Sequence, residues 1–476
     1  MGPPKASRSI SQQAFDEMVK ENIDDLGMDP TEALRDAIET LSLQGVNLSG
    51  IVTCVPGESN PVIQSLDRLK QLDSDWTDRV KDEKVLEELI ELFNKLSDLC
   101  RVQGSGNAAI ASKNGGVELV CSICSKLRGW SNHGLVSAFN TMAAFLHDLQ
   151  STETFRKSGG EKIVMGILHD ETQNVNILNS GFSVVAAAAT GNEVLKEAFM
   201  DLKVDELMII ILKEQSKGNI PSLYDAIRVL LTSDDNRVVA SQVYGYARIF
   251  AKKGIAEVLV NSLREGFTSP SLVSASIALK AVAVNDEICR SIADHGGIEA
   301  VLLCIGDSGE QGNKAVARAC CTLLSKLAGS DTNKSAIIEK GGLDRLIKLS
   351  ARFADDPSVL QEVMSIICTL SLRSPENAAR AVEAGAGDLA IQSMQKFPGS
   401  LLLQRNSCLM IRNLVVRNPE NRQDNFYISF PQNWYREDHK EGQRKPRGLQ
   451  RGCHRCSQGS GARQLQLIAH PRTATS

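Results

Sequence analysis

Cysteine and histidine are the residues of this chain best suited to chemistry, and their spacing argues against a reactive site. Cys121 and Cys124 form a Cys-x-x-Cys pair inside the apolar stretch 117–127, with no second Cys or His pair at metal spacing close to it. This setting favours buried structural thiols over a zinc or redox site. Cys453 and Cys456 form another such pair, where a zinc ion would need two further ligands. We therefore expect no metal site.

No catalytic group can be assembled from the remaining motifs. The seven histidines are scattered, and no Ser, Cys or Asp stands at a spacing that indicates a triad with any of them. Gly-Gly pairs recur, but each follows a short apolar stretch rather than a strand. They therefore indicate helix ends and not phosphate-binding loops. The sequence predicts a protein that is not an enzyme and takes no cofactor.

The composition limits the possible partners. Of 476 residues, 42% are hydrophobic but only 4% aromatic, and the net charge is −4. This charge does not favour nucleic acid or an anionic membrane, and no apolar run reaches the roughly 18 residues of a membrane span. The 12 cysteines occur without a secretory signal, which favours reduced thiols. We expect a protein partner and a cytoplasmic and/or nuclear location.

One sequence pattern recurs from residue 107 onward: an Asn, a short apolar helix, a glycine turn and a longer apolar helix. Asn107, Asn333 and Asn377 are each followed eight residues later by a glycine. The turns fall at residues 116, 160, about 205, 254, 297, 342 and 387. Their mean spacing of about 45 residues lies within the period of armadillo and HEAT repeats.

The local structure of one repeat can be predicted from its residues. Asn333 is expected to cap the short first helix, and Gly341-Gly342 to end it, with at least one positive φ in that pair. A third helix is expected to begin at a proline, at Pro221, Pro270, Pro357 and Pro398. Such a unit cannot bury its apolar faces alone, so repeats must stack. The predicted fold is all-α, a right-handed armadillo/HEAT-like α-solenoid of about seven repeats.

The two ends of the chain differ from the repeats. The sequence predicts a helical N-terminal leader and linker at residues 1–60 and a helical N-terminal cap at residues 61–106. The solenoid is expected to span residues 107–421. Residues 422–476 are basic and lack a helical apolar period, so we predict a disordered, atypical C-terminal tail.

Three segments carry a closer resemblance. Residues 10–16 read Ile-Ser-Gln-Gln-Ala-Phe-Asp, residues 39–49 read Glu-Thr-Leu-Ser-Leu-Gln-Gly-Val-Asn-Leu-Ser, and residues 408–415 read Cys-Leu-Met-Ile-Arg-Asn-Leu-Val. They resemble the armadillo repeat-containing protein 6 family, and the resemblance runs from about residue 9 to residue 421. It implies an all-helical, non-enzymatic protein.

The third helices are where a solenoid of this kind would bind a partner. Nuclear-import adaptors of the same architecture place an Asn on successive third helices to clamp an extended peptide. Asn413 fits that position here, but Thr369, Lys326 and Ala281 occupy it in earlier repeats. The series of Asn residues on successive third helices is therefore incomplete. A nuclear transport adaptor that recognises basic peptide cargo is accordingly the alternative hypothesis rather than the first.

Basic residues also recur on the third helices, which indicates either a groove for acidic or extended segments or ordinary solvated charge. The candidate protein-binding groove comprises Arg228, Lys280, Lys326, Thr369, Arg412 and Asn413. The predicted function is that of a non-enzymatic scaffold or adaptor that binds partner protein segments along the concave groove.

Overall fold

The computed structural model describes residues 8–48, 60–76, 82–102, 104–214, 220–233, 240–266 and 270–416, together with residues 51, 55 and 418. The predicted disordered tail and the Cys453–Cys456 pair lie outside these residues. Two compact units divide the chain, Met1–Tyr246 and Ala247–Ser476. No helix in the described ranges is both long and apolar enough to cross a bilayer.

The first unit consists almost entirely of helices. Its elements are β1 (Arg8–Ser9), α1 (Gln12–Asp24), α2 (Pro30–Leu43), β2 (Val46–Asn47), α3 (Pro61–Ser74), α4 (Glu83–Arg101), α5 (Asn107–Lys113), α6 (Gly116–Leu127), α7 (Asn132–Phe145), α8 (Leu149–Lys157), α9 (Gly160–Asp170), α10 (Val175–Ala189), α11 (Glu193–Asp201), α12 (Val204–Glu214) and α13 (Pro221–Leu230). Helix α14 (Ala240–Lys252) spans the division.

The second unit continues the same pattern. Its helices are α15 (Ile255–Arg264), α16 (Leu272–Val282), α17 (Asp286–Asp294), α18 (Gly297–Gln311), α19 (Lys314–Leu327), α20 (Asp331–Glu339), α21 (Gly342–Arg352), α22 (Pro357–Leu370), α23 (Pro375–Glu383), α24 (Ala386–Lys396) and α25 (Leu401–Val415). The predicted all-α armadillo-type α-solenoid is confirmed: within the described residues, the strands are the two-residue β1 and β2.

The leader has a small core of its own. Helices α1 and α2 pack together through buried residues that include Phe15, Val19, Ala33 and Ala37. The parallel pair β1–β2 lies beside them. The Asp29 carboxylate accepts a hydrogen bond from the Thr31 backbone N–H and so caps α2.

Each repeat contains three helices, and in α5–α7, α8–α10, α20–α22 and α23–α25 the first helix is the shortest and the third the longest. In the second unit, α20, α21 and α22 form one such repeat. The second helix begins at a glycine turn: Gly341 has φ = +74°, which confirms the predicted positive φ. Gly342 serves for a different reason, since a β-carbon there would lie 2.6 Å from the Ile337 carbonyl oxygen. The turn therefore needs glycine twice, once for its backbone angle and once for space.

Asn333 does not cap the first helix of its repeat, and this prediction was wrong. The N-cap of α20 is Ser330, and Asn333 lies inside the helix. The Asn333 Nδ2 donates to the Leu327 carbonyl at 3.1 Å and the Cys289 carbonyl at 2.9 Å. Asn377 likewise donates to the Leu370 carbonyl at 3.1 Å. The amide thus satisfies a carbonyl at the end of the preceding third helix, which has no partner within its own helix.

Proline begins the third helix in only two of the four predicted places. Pro221 and Pro357 are the first residues of α13 and α22. Helices α16 and α25 instead begin two and three residues beyond Pro270 and Pro398. A proline shortly before a helix also fixes the backbone, so both placements end the preceding loop.

Replacing Lys203 with glycine is expected to stabilise the first unit. Lys203 lies at the turn before α12 and has φ = +64°. In other repeats a glycine occupies the equivalent position. A β-carbon in this conformation costs about 1–2 kcal/mol, and the greater freedom of glycine in the unfolded chain returns about 0.5–1 kcal/mol. We expect a gain of about 0.5–1 kcal/mol in the free energy of unfolding, measured by urea denaturation followed by circular dichroism.

Lys213→Gly is the matched control, because Lys213 is exposed in the last turn of α12. Glycine within a helix should destabilise by about 0.5–1 kcal/mol. If both variants lose stability equally, the left-handed angle at Lys203 does not strain the turn.

Candidate protein-binding face

The third helices of the second unit pack side by side in a row: α16 against α19, α19 against α22, and α22 against α25. Each helix buries most of its circumference and leaves one stripe exposed. In α19, Arg318, Thr322 and Lys326 are exposed or half-buried at intervals of four residues, while Cys320 and Leu324 between them are buried. Residues four apart lie on one side of a helix, so these three share one stripe.

Hydrogen bonds join neighbouring stripes. The Thr322 hydroxyl donates to the Glu362 carboxylate across α19 and α22 at 3.3 Å. The hydroxyls of Ser325 and Thr369 lie 3.4 Å apart across the same pair of helices. The exposed stripes of α16, α19, α22 and α25 therefore form a row of adjacent surfaces, which we call the third-helix face of the second unit.

Five of the six predicted groove residues lie on these four helices: Lys280 on α16, Lys326 on α19, Thr369 on α22, and Arg412 and Asn413 on α25. The sixth residue, Arg228, lies on α13 in the first unit. Its guanidinium pairs with the Asp225 carboxylate of the same helix at 2.7 Å. Arg228 is therefore already neutralised locally, unlike Lys280, Lys326 and Arg412, which have no ion-pair partner among the described residues.

Asn413 and Thr369 are engaged within the protein. The Asn413 Nδ2 donates to the Cys368 carbonyl at 2.9 Å and lies 3.2 Å from its sulfur. The Thr369 hydroxyl donates to the Ser365 carbonyl at 3.0 Å. An import-type clamp uses the side-chain amide to hold the peptide backbone, whereas the Asn413 amide nitrogen here holds α25 against α22.

Two basic residues of this face escaped the sequence analysis. Arg318 and Arg405 are exposed on α19 and α25, about two turns N-terminal to Lys326 and Arg412. The sequence pattern concerned a single position near the end of each third helix. The helical spacing from those predicted residues is the signal that points to them.

The charge of the face is strongly one-sided. Helices α16, α19, α22 and α25 contain six Lys and Arg residues and one acidic residue, Glu362. Lys314 pairs with Asp356 at 3.8 Å. Among the residues that the structure describes, the other five cations have no ion-pair partner. They are Lys280, Arg318, Lys326, Arg405 and Arg412.

The third helices of the first unit present a different surface. Helices α4, α7, α10 and α13 also pack in a row, but α7 and α10 contain no Asp, Glu, Lys or Arg. A shallow cleft of about 450 Å³ lies along them and is lined largely by small side chains such as Ala143, Ser183 and Ala187. This surface is nearly neutral, so the two units differ in the segments that they could attract.

The cysteines are poorly placed for chemistry. Burial raises the pKa of the Cys121 thiol to about 12, and it raises the pKa of Cys124 as well. A hydrogen bond with the Cys320 thiol lowers the pKa of Cys304, but Cys304 is only 1% exposed. No group of three or more potential metal ligands occurs in the described part of the chain. These thiols act as small core residues.

Comparisons with known proteins agree with this architecture. Residues 7–77 match the family model of the armadillo repeat-containing protein 6 N-terminal domain. Armadillo repeat-containing protein 6 of Homo sapiens is 25% identical over 388 residues, 78% of this chain and 75% of that protein. Its Drosophila melanogaster homolog is 25% identical over 396 residues, 80% of each.

A solved structure supports the fold independently. It comes from work on a conserved phosphorylation switch that controls the interaction between cadherin and beta-catenin. It covers 84% of this chain and 70% of its own, with a TM-score of 0.53 and 15% identity. The family matches confirm the resemblance predicted from the sequence, and the solved structure supports the fold: the chain has an armadillo-type fold and is similar to the armadillo repeat-containing protein 6 family from its N-terminal domain onward.

Proposed function

We propose that the protein is a non-enzymatic scaffold on which partner protein segments dock along the exposed stripes of the third helices. The observation that carries this proposal is the row of four adjacent helices in the second unit, whose stripes expose five cations. A continuous face of this kind suits an extended segment, because successive helices offer successive contacts. The armadillo fold supports the proposal, and the structural neighbour named above comes from work on a protein–protein interaction.

The alternative is a nuclear transport adaptor that recognises basic peptide cargo. Like charges repel, so the basic third-helix face of the second unit disfavours such a cargo there. The engaged amide of Asn413 also argues against the backbone clamp that an adaptor of import type would use. Both observations favour the scaffold.

Blocking the face is expected to remove partners. Thr322 and Ser365 are half-buried on the stripes of α19 and α22, and tryptophan at both would obstruct the face by bulk alone. The Thr322→Trp/Ser365→Trp variant and the wild type are each purified from cells with an affinity tag, and bound proteins are quantified by mass spectrometry. We expect at least one protein to fall about tenfold in recovery, equivalent to about 1.4 kcal/mol of binding. That protein should then bind the purified wild type directly.

The matched control places the same bulk on a second helix. Asp344 and Lys348 are exposed on α21, and Asp344→Trp/Lys348→Trp should retain every partner. Circular dichroism confirms that both variants are folded. Equal recovery of all bound proteins by the wild type and both variants would contradict docking on this face.

A further inference from the structure

We propose that the third-helix face of the second unit binds an extended protein segment with an aspartate or glutamate at about every third residue, except opposite α22. The inference rests on the proposed function, since it names the chemistry of the segment that docks on the stripes. It follows from three properties of the face: unpaired cations, regular spacing and the lack of aromatic side chains on its helices.

The cations of this face lack the internal counterions that some cations elsewhere in the same unit have. Lys334, Lys340 and Lys396 each pair with a carboxylate of the protein. Arg318, Lys326 and Arg405 have no such partner among the described residues, and all are exposed. A set of neighbouring exposed cations without internal counterions produces a positive potential, which attracts and orients a negatively charged partner.

The spacing of the helices sets the spacing of the acidic residues. The axes of packed helices are about 8–10 Å apart, and an extended chain advances about 3.3 Å per residue. A segment that crosses the row therefore advances about three residues from one third helix to the next. Lys280, Lys326 and Arg412 lie near the C-terminal ends of α16, α19 and α25, and Arg318 and Arg405 lie about two turns earlier on α19 and α25.

Helix α22 is the exception in this row. It contains no Lys or Arg, and its Glu362 carboxylate accepts a hydrogen bond from the Thr322 hydroxyl. The segment should therefore carry a neutral or hydroxyl residue opposite α22, where a carboxylate would meet Glu362. This gap makes the proposed recognition more specific than attraction to a uniformly basic surface.

Nucleic acid is also anionic, but this face lacks the groups that bind it best. Helices α16, α19, α22 and α25 contain no Phe, Tyr or Trp, whereas single-stranded nucleic acids are commonly held by bases stacked on aromatic side chains. The net charge of the chain is −4, which further opposes a long polyanion. A protein segment with separated carboxylates fits the face better.

Fluorescence anisotropy with labelled peptides tests the proposal on the full chain. The probe is a peptide of about twelve residues in four Xaa-Ser-Ala triplets, long enough to cross the row, with Glu as Xaa in the first, second and fourth triplets and Ser in the third. Its controls carry Gln or Lys in place of each Glu, and a single-stranded oligonucleotide of equal length is the nucleic-acid arm. At low ionic strength the glutamate peptide should bind at least about tenfold more tightly than the glutamine peptide, and added salt should weaken it.

Charge reversal locates the binding. Arg318→Glu/Lys326→Glu should weaken the glutamate peptide about tenfold or more. Lys348→Glu/Arg380→Glu changes the net charge equally on the exposed surfaces of α21 and α23 and should leave its affinity within about twofold. All variants are checked for unchanged helical content by circular dichroism.

Three results would overturn the acidic-segment proposal. They are equal binding of the glutamate and glutamine peptides, equal weakening by both charge reversals, and oligonucleotide binding that is tighter than that of the glutamate peptide. None of them would refute docking itself, because the tryptophan variant tests that with native partners. If the tryptophan variant loses no partner, the proposed function fails even where the peptide binds.

Discussion

The variant Gly341→Val/Gly342→Val is expected to lose about 4 kcal/mol or more of unfolding free energy in the second unit. Gly341 adopts φ = +74°, a conformation that valine reaches only with strain. Gly342 has no room for a side chain, because an added β-carbon would lie 2.6 Å from both the Ile337 carbonyl oxygen and its Cγ2 atom. Helix α21 would then lose its angle and withdraw Leu346 and Leu349 from the core.

Single alanine variants separate the two causes. A β-carbon at Gly341 would meet no atom within 4 Å, so Gly341→Ala should cost only its conformational strain, about 1–2 kcal/mol. Gly342→Ala should cost more than Gly341→Ala, since one of its close contacts is backbone and cannot rotate away. Urea denaturation gives both values, and hydrogen exchange should show faster exchange in α20 and α21 before other helices.

The control introduces the same two valines at a different site. Glu310 and Gln311 are exposed at the end of α18, and Glu310→Val/Gln311→Val should cost no more than about 1 kcal/mol. If the Gly341/Gly342 double variant unfolds at the same urea concentration as the wild type, the glycines do not form the turn and the assigned repeat register is wrong.

The turns could be predicted from the sequence because their cause is local. Gly341 is needed for its own backbone angle, and that requirement is visible in the residue type. The function of Asn333 could not be predicted in this way, since one of its acceptors is the Cys289 carbonyl, 44 residues away. The same limit applies to the turn at Gly385. The sequence pattern places this turn at Gly387, but α24 begins at Ala386.

The third-helix face was partly predictable for a related reason. A sequence pattern indicates a position within a repeat, and Lys280, Lys326 and Arg412 occupy such positions. Whether a residue is exposed depends on which sides of the helix pack against neighbours, and this depends on residues from adjacent repeats. Arg318 and Arg405 therefore emerged only from the structure. The local engagement of Asn413 by α22 is also a tertiary contact that no motif encodes.

Removal of the buried ammonium of Lys196 is the second change expected to have a large effect. The Lys196 side chain is fully buried, and its Nζ donates to Glu193 Oε1 at 2.9 Å and to the Thr232 carbonyl at 2.6 Å. The contact joins α11 to the chain just after α13. Lys196→Met keeps most of the packing but leaves the Glu193 carboxylate, only 18% exposed, without this cation. We expect a loss of about 3–5 kcal/mol in the free energy of unfolding.

Lys334 provides an internal control, because it makes the same type of contact in the second unit. Its Nζ donates to the Leu372 carbonyl at 3.1 Å and to Asp331 at 2.7 Å, but the Asp331 side chain is 89% exposed. Water can solvate that carboxylate when the cation is removed. Lys334→Met should therefore cost about 1 kcal/mol, the value of an ordinary hydrogen bond.

A double-mutant cycle then isolates the desolvated charge. If the cost of Lys196→Met comes mainly from removing this cation beside the Glu193 carboxylate, Glu193→Gln should recover a large part of it, because a neutral amide tolerates burial better than a carboxylate does. Urea denaturation of the wild type, both single variants and the double variant should give a coupling energy above about 1 kcal/mol. Lys196→Met and Lys334→Met could instead lose equal unfolding free energy, with additive effects in the cycle. That result would show that each lysine stabilises the protein only through its hydrogen bond to the carbonyl at the end of the next third helix.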